Sequence, residues 1–234
     1  MIVIAEPLLS LVLSTTAISQ NGIRGFLHQP EGKAQAGLVI THGAGANCQA
    51  PLLVAVADAF TSNGFMVLRC DLPFRQRRPT GPPMPSAAGD DRAGLRSAVG
   101  FLSGLVSGPI VLGGHSYGGR QATMLTAEEN AAEEDGAPAS AVASALLLLS
   151  YPLHPPNKPD QLRTAHFPAL RTPALFIHGT KDPFGTPDEM RKALALIPGR
   201  HAVEFIDGAG HDLRRPKLNP ELIVAETNCL LNGS

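Results

Sequence analysis

Ser116 lies in the run Gly114-His115-Ser116-Tyr117-Gly118, a GxSxG spacing that follows the apolar stretch PIVLGG and precedes the helix-like GGRQATMLTAEE. Such a serine caps a sharp strand-to-helix turn, and the small residues two before and two after it let strand and helix approach closely. The motif alone is weak, since roughly one chain in ten of this composition would hold it by chance, so its strand-turn-helix context carries the reading. A serine hydroxyl attacks poorly until a base removes its proton, and the base needs an acid to set its tautomer and stabilise the imidazolium. Of the eight histidines, His211 in GAGHDL sits just past the last apolar run, HAVEFID, on a glycine-rich loop. His178 and His201 are rivals at strand ends, where structural histidines are common. For the acid, Asp182 follows PALFIHG in the turn GTKDPFG. Asp207 is the competing choice, and Asp212 adjoins His211 but would project away. The order Ser, Asp, His favours Asp182, whose bland alternative is a turn residue bonding its own backbone.

Acyl transfer through a tetrahedral intermediate also needs donors aimed at an oxyanion. The segment HGAGAN follows the strand-like GLVIT, and the main-chain N–H groups of Ala44 and Tyr117 are the expected donors. The alternative is a plain glycine-rich connection. Arg75, Arg77 and Arg78 follow the run FMVLRCD and are read either as a binding site for an acidic acyl or leaving group or as a solvated loop. No metal-ligand spacing is present. GAGAN and VLGG lack the lysine of a phosphate loop and the spacing of a dinucleotide fingerprint, so no cofactor is expected.

The elements that must position these groups emerge as an alternation. Buried strand-like runs, GLVITHG, FMVLRCD, PIVLGGHS, ALLLLSYP, PALFIHG and HAVEFID, are separated by helical periodicity. Leu52, Val56, Ala59 and Phe60 share one face before Gly64, a second crossover starts near Asp90 with Leu95, Val99 and Leu102, and Met190, Leu194 and Ile197 form a third stripe. The pattern predicts an α/β fold: a doubly wound, mostly parallel sheet of about eight strands. The segments SLVLSTTAIS and IRGFLHQP, joined at Asn21-Gly22, predict an antiparallel hairpin leading into it. The proline-rich stretches 72–88 and 152–173 are too short for a separate lid, and the acids Glu128, Glu129, Glu133, Glu134 and Asp135 read as a solvated helix end.

The chain has 234 residues, 44% of them hydrophobic, which suits a single domain over 1–234. With 19 basic against 20 acidic residues and no tryptophan, neither nucleic acid nor an anionic membrane is an expected partner. The three cysteines, Cys48, Cys70 and Cys229, fit neither a disulfide framework nor a zinc knuckle, and imply a reducing, cytoplasmic setting. The apolar start carries no Lys or Arg before Arg24 and is interrupted by Glu6 and Pro7, unlike a secretion signal.

Taken with GTKDPF and GAGHD, the motifs HGAG and GHSYGG resemble those of the α/β-hydrolases over nearly the whole chain, and within them the small dienelactone-hydrolase-like branch. THGAGAN and LLLLSYPLHPP are similar to bacterial relatives of the testis-expressed and acetyltransferase-complex hydrolase-like proteins. The resemblance implies a cofactor-independent serine hydrolase for a small ester or thioester. Ser116 stands where dienelactone hydrolase proper has cysteine, so a dienelactone is not the implied substrate. Some members of the second branch are thought to be scaffolds, which leaves a catalytically idle interaction protein as one alternative and a peptidase or amidase on the same triad as another.

Overall fold

The computed structural model describes residues 14–135, 142–214 and 218–233. Eight strands form one sheet in the order β1-β2-β4-β3-β5-β6-β7-β8: β1 Ser14–Gln20, β2 Ile23–Gln29, β3 Ala36–Thr41, β4 Phe65–Cys70, β5 Ile110–His115, β6 Ala145–Leu149, β7 Ala174–Gly179 and β8 His201–Ile206. β2 runs antiparallel to both β1 and β4, and the remaining pairs are parallel. The β1–β2 turn falls at Asn21-Gly22, both at positive φ, as a tight hairpin requires. Residues 10–13, which the sequence adds to the first strand, lie outside the described residues.

Among the described residues, five α-helices lie between strands, α1 Pro51–Ser62, α2 Pro73–Arg77, α3 Ala88–Ser103, α4 Tyr117–Glu134 and α5 Pro187–Leu194, and α6 Pro220–Asn232 follows β8. Strand residues alternate between two apolar layers, because successive side chains leave a pleated strand on opposite faces. In β6, Leu146 and Leu148 meet α3, α4 and α5, while Ala145, Leu147 and Leu149 meet α1 and α6. Burial on both sides explains the uninterrupted run ALLLL.

The first proline-rich stretch contains α2, a five-residue helix started by Pro73. The end of α4 is exposed at Glu128, Glu134 and Asp135, as a solvated helix end should be, and three of its acids are also ion-paired: Glu128 with Arg92 and Glu129 with Arg96, both arginines on α3, and Glu134 with Arg171. Among the described residues, no helix is long and apolar enough to cross a membrane.

The chain leaves β3 toward β4 on one side and later returns past it to β5 on the other, so the loops after β3 and β5 diverge from adjacent strand ends. Such a switch point opens a crevice at the carboxyl edge of the sheet.

Where the hairpin joins the sheet, His28 of β2 is buried and its Nε2 accepts from Arg69 Nε at 2.8 Å, so the ring is neutral. Burial, reinforced by the Arg69 charge and opposed by Asp58, lowers its pKa to about 4. A folded-state pKa below the ordinary value of 6.5 means that the unfolded chain takes up a proton that the folded one refuses. The stability held this way is complete above about pH 6.5 and is lost as pH falls toward 4. His115 and His166, also lowered to about 4, add in the same direction. The urea midpoint should therefore drop on acidification across this window, and the drop should be shallower in His28→Gln; an unchanged slope would contradict the assignment.

Candidate functional site

β5 ends in Gly113-Gly114-His115, and Ser116 turns the chain into α4 with φ 52° and ψ −114°. A non-glycine residue is strained there and needs its surroundings to hold it. Its N–H donates to the Leu149 carbonyl at 2.8 Å and its own carbonyl accepts from Arg120 N at 3.0 Å. The flanking glycines are sterically required. A Cβ on Gly114 would lie 2.6 Å from the Gly118 backbone, and one on Gly118 would lie 2.6 Å from Thr41 Cγ2 and 2.7 Å from the His42 carbonyl.

The loops after β5, β7 and β8 bring Ser116, Asp182 and His211 together. Ser116 Oγ lies 2.8 Å from His211 Nε2, and His211 Nδ1 lies 2.8 Å from Asp182 Oδ2 and 3.1 Å from Oδ1. The Asp182 side chain is fully buried, while that of His211 is 21% exposed toward the cleft. With the carboxylate at Nδ1, that nitrogen carries the proton and Nε2 is left to accept from the serine hydroxyl. Asp182 Oδ1 also accepts from Phe184 N at 2.9 Å, so the turn-residue reading and the histidine partnership hold at once. The Phe184 ring stacks on the imidazole, with centroids 4.1 Å apart and planes at 29°.

The rival residues are engaged elsewhere. His178 is buried, with Nε2 against the Gly185 carbonyl at 2.8 Å, and His201 Nδ1 meets the Gly199 carbonyl. Asp207 is exposed and accepts from Thr180 Oγ1, while Asp212 turns back to Arg214.

Ala44, Ser116 and Tyr117 line a cleft of about 490 Å³. Tyr117 opens α4, where first-turn N–H groups have no acceptor within the helix. Its hydroxyl donates to Asp91 Oδ2 at 2.8 Å; Asp91 Oδ1 accepts from Phe74 N. Burial raises the Asp91 pKa, the two hydrogen bonds opposing it. On the other side of the crevice His42 is buried, with Nδ1 on the Gly43 carbonyl and Nε2 accepting from Leu72 N.

The arginine cluster does not assemble as the sequence suggests. Arg75 is buried, with Nη2 donating to the Ala44 carbonyl at 2.6 Å and to Gly81 O at 3.0 Å, Nε to Ala46 O at 2.7 Å and Nη1 to Arg78 O at 3.1 Å. It is neither solvated nor free for substrate; it holds the loop that carries Ala44. Arg77 pairs with Asp90, and Arg77 and Arg78 line a separate pocket of about 170 Å³ beneath the proline-rich loop. The arginines that do line the serine's cleft are Arg120 and Arg163. Neither stood out in the sequence, although Arg120 lies one helical turn beyond Ser116. His115 was equally unremarked: its Nε2 bonds the His211 carbonyl at 2.8 Å, and burial lowers its pKa to about 4, so it holds the His211 loop as a neutral donor.

Residues 34–225 match a family model described as an alpha/beta hydrolase domain. The chain belongs to the alpha/beta hydrolase family. This alpha/beta hydrolase is similar to the dienelactone hydrolase of Anabaena variabilis, with 19% identity, a TM-score of 0.69, and 94% of this chain and 98% of that one covered. TT1662 from Thermus thermophilus is similar at 20% identity and TM-score 0.72, over 94% and 98% of the two chains. Esterase 2 of Thermogutta terrifontis, in a structure phosphoramylated by tabun, is similar at 16% identity and TM-score 0.65, over 94% of each chain. At these identities the neighbours establish a shared fold.

The loop restraint generates a test. Arg75→Gln removes donors from four carbonyls and should destabilise the alpha/beta hydrolase by about 2–4 kcal/mol. Amide exchange at residues 44–46 should quicken more than at β6; uniform exchange would show that Arg75 does not hold this loop.

Proposed function

We propose that this alpha/beta hydrolase is a cofactor-independent serine hydrolase that cleaves a small ester or thioester through an acyl-enzyme, with Ser116 as nucleophile, His211 as base and then acid, and Asp182 orienting it. The observation that carries the reading is the unbroken hydrogen-bond chain from a buried carboxylate through an imidazole to a strained serine, each link at 2.8 Å. Nothing in that chain requires a metal or cofactor.

In this mechanism Ser116 Oγ bonds to the substrate carbonyl carbon while its proton passes to His211 Nε2, and the imidazolium is stabilised by Asp182. The N–H groups of Ala44 and Tyr117 face the developing oxyanion, a role consistent with their position on the wall beside Ser116. Collapse of the intermediate breaks the bond to the alkoxide or thiolate, which leaves with the proton from His211. Water then repeats the sequence on the acyl-enzyme, with His211 as base, releasing the acid and restoring the serine. The substrate is a small molecule, supported by a cleft of about 490 Å³ with no inserted lid domain among the described residues. The buried free thiols Cys48 and Cys70 support a reducing, cytoplasmic setting.

Intact-mass analysis after exposure to a fluorophosphonate should give a single adduct on Ser116 that is absent in Ser116→Ala. Native protein that stays unlabelled would overturn the reading in favour of a hydrolase-fold interaction protein.

The acid is tested separately. Asp182→Asn should keep the fold, by circular dichroism and melting, and lower kcat on the order of 10⁴-fold, because an amide at this position favours the wrong imidazole tautomer. Asp207→Asn, altering a group that bonds only Thr180, should lower it far less. The reverse ranking in folded proteins would remove Asp182 from the mechanism.

A further inference from the structure

Arg120 and Arg163 reach the cleft from different elements. Arg120 sits on the first turn of α4, tied to Ser116 through its backbone N–H, and Arg163 comes from the connection between β6 and β7. Both line the cleft that holds Ser116 and Phe184. Several other arginines meet a carboxylate, Arg24 with Asp71, Arg92 with Glu128 and Arg191 with Asp188, while Arg75 is satisfied by backbone carbonyls. Among the described residues, no carboxylate lies within ion-pairing distance of Arg120 or Arg163.

The groups around the pair are neutral. The Tyr151 hydroxyl donates to the Arg163 carbonyl at 2.6 Å, and burial raises its pKa above the ordinary phenol value, with the charge of Arg120 opposing. His166, against Thr123 Oγ1, is held to a pKa of about 4 by burial and by the charges of Arg120 and Arg92. Arg163 Nη1 has the Pro152 carbonyl at 3.3 Å. Arg120 Nε is buried and has no acceptor. Burial and the charge of Arg120 together lower the Arg163 pKa. Two like charges lining one cavity form half of a charge-assisted contact, because guanidinium groups match the oxygens of a carboxylate or phosphate.

We propose that the substrate is an ester or thioester bearing an oxyanionic group away from the scissile bond, and that Arg120 and Arg163 bind this group while the carbonyl lies at Ser116. The proposal rests on the serine hydrolase reading for its reaction, but the anion site stands on the two arginines alone. It differs from the sequence expectation for Arg75, Arg77 and Arg78: Arg75 is consumed by backbone carbonyls, and all three lie outside the serine's cleft.

The test compares 4-nitrophenyl pentanoate with the mono-4-nitrophenyl ester of glutaric acid, which has a carboxylate in place of the terminal methyl. Binding is measured on Ser116→Ala protein by calorimetry, so that turnover plays no part. The glutarate ester should bind about tenfold more tightly, with an advantage that shrinks as salt rises. Arg120→Gln and Arg163→Gln, made singly and verified by melting, should each reduce that advantage, and the lysine variants should restore part of it. An ester ending in a phosphonate distinguishes a phosphate-type anion from a carboxylate, and preference for either over the methyl supports the site. Equal affinity of the anionic and neutral esters would overturn the proposal whether or not the serine protein turns over. Preferential binding of the anion, with neither hydrolysis nor fluorophosphonate labelling of the serine protein, would instead keep the anion site and sink the hydrolase reading.

Discussion

The backbone of Ser116 is the constraint on which the rest of the site depends. A serine at φ 52° cannot hold itself there, so the fold supplies the restraint: the Leu149 carbonyl takes its N–H, and glycine on both sides lets β5 and α4 approach to contact distance. The conformation lifts the side chain off the sheet edge into the crevice. Every other functional group is placed relative to that hydroxyl.

The surrounding loops are braced by polar contacts that are satisfied within the protein. Arg75 binds four carbonyls of the loops facing the crevice, His42 links the loop after β3 to the end of β4, and His115 holds the backbone of His211. Asp91 ties the Tyr117 ring to the start of α2. Donors and acceptors locked in this way cost little reorganisation when charge develops near them, which is how a preorganised site differs from water. The buried histidines act here as neutral spacers, and the same burial that keeps them neutral makes the fold sensitive to acid.

Charge is distributed unevenly along the cleft. At the end that holds Ser116, Asp182 is sealed beneath the partly exposed His211. Toward the connection between β6 and β7, Arg120 and Arg163 present positive charge without a protein carboxylate opposite. The net charge of the chain, close to zero, hides this polarity, while ion pairs on α3, α4 and α5 cancel charge locally.

Local pattern determined the sheet, the hairpin and the helices α1, α3, α4 and α5, though not α2 or α6, because alternating burial and helical spacing are written residue by residue in runs such as ALLLL and in the stripe Leu95, Val99, Leu102. It also singled out Ser116, Asp182 and His211, which the structure brings within hydrogen-bonding distance, because each follows a strand that ends at the same edge. Which arginine faces the cleft and which props a loop was not legible. Arg75 and Arg120 each follow a strand by a few residues, and an arginine looks the same in sequence whether its five donors meet carbonyls or open space. That choice depends on what other segments bring opposite the side chain: the carbonyls of Ala44, Ala46 and Gly81 close around Arg75, while β6 and the connection after it place Tyr151 and Arg163 near Arg120 and, among the described residues, put no carboxylate within ion-pairing distance. Only tertiary contact between residues far apart in the chain decides it.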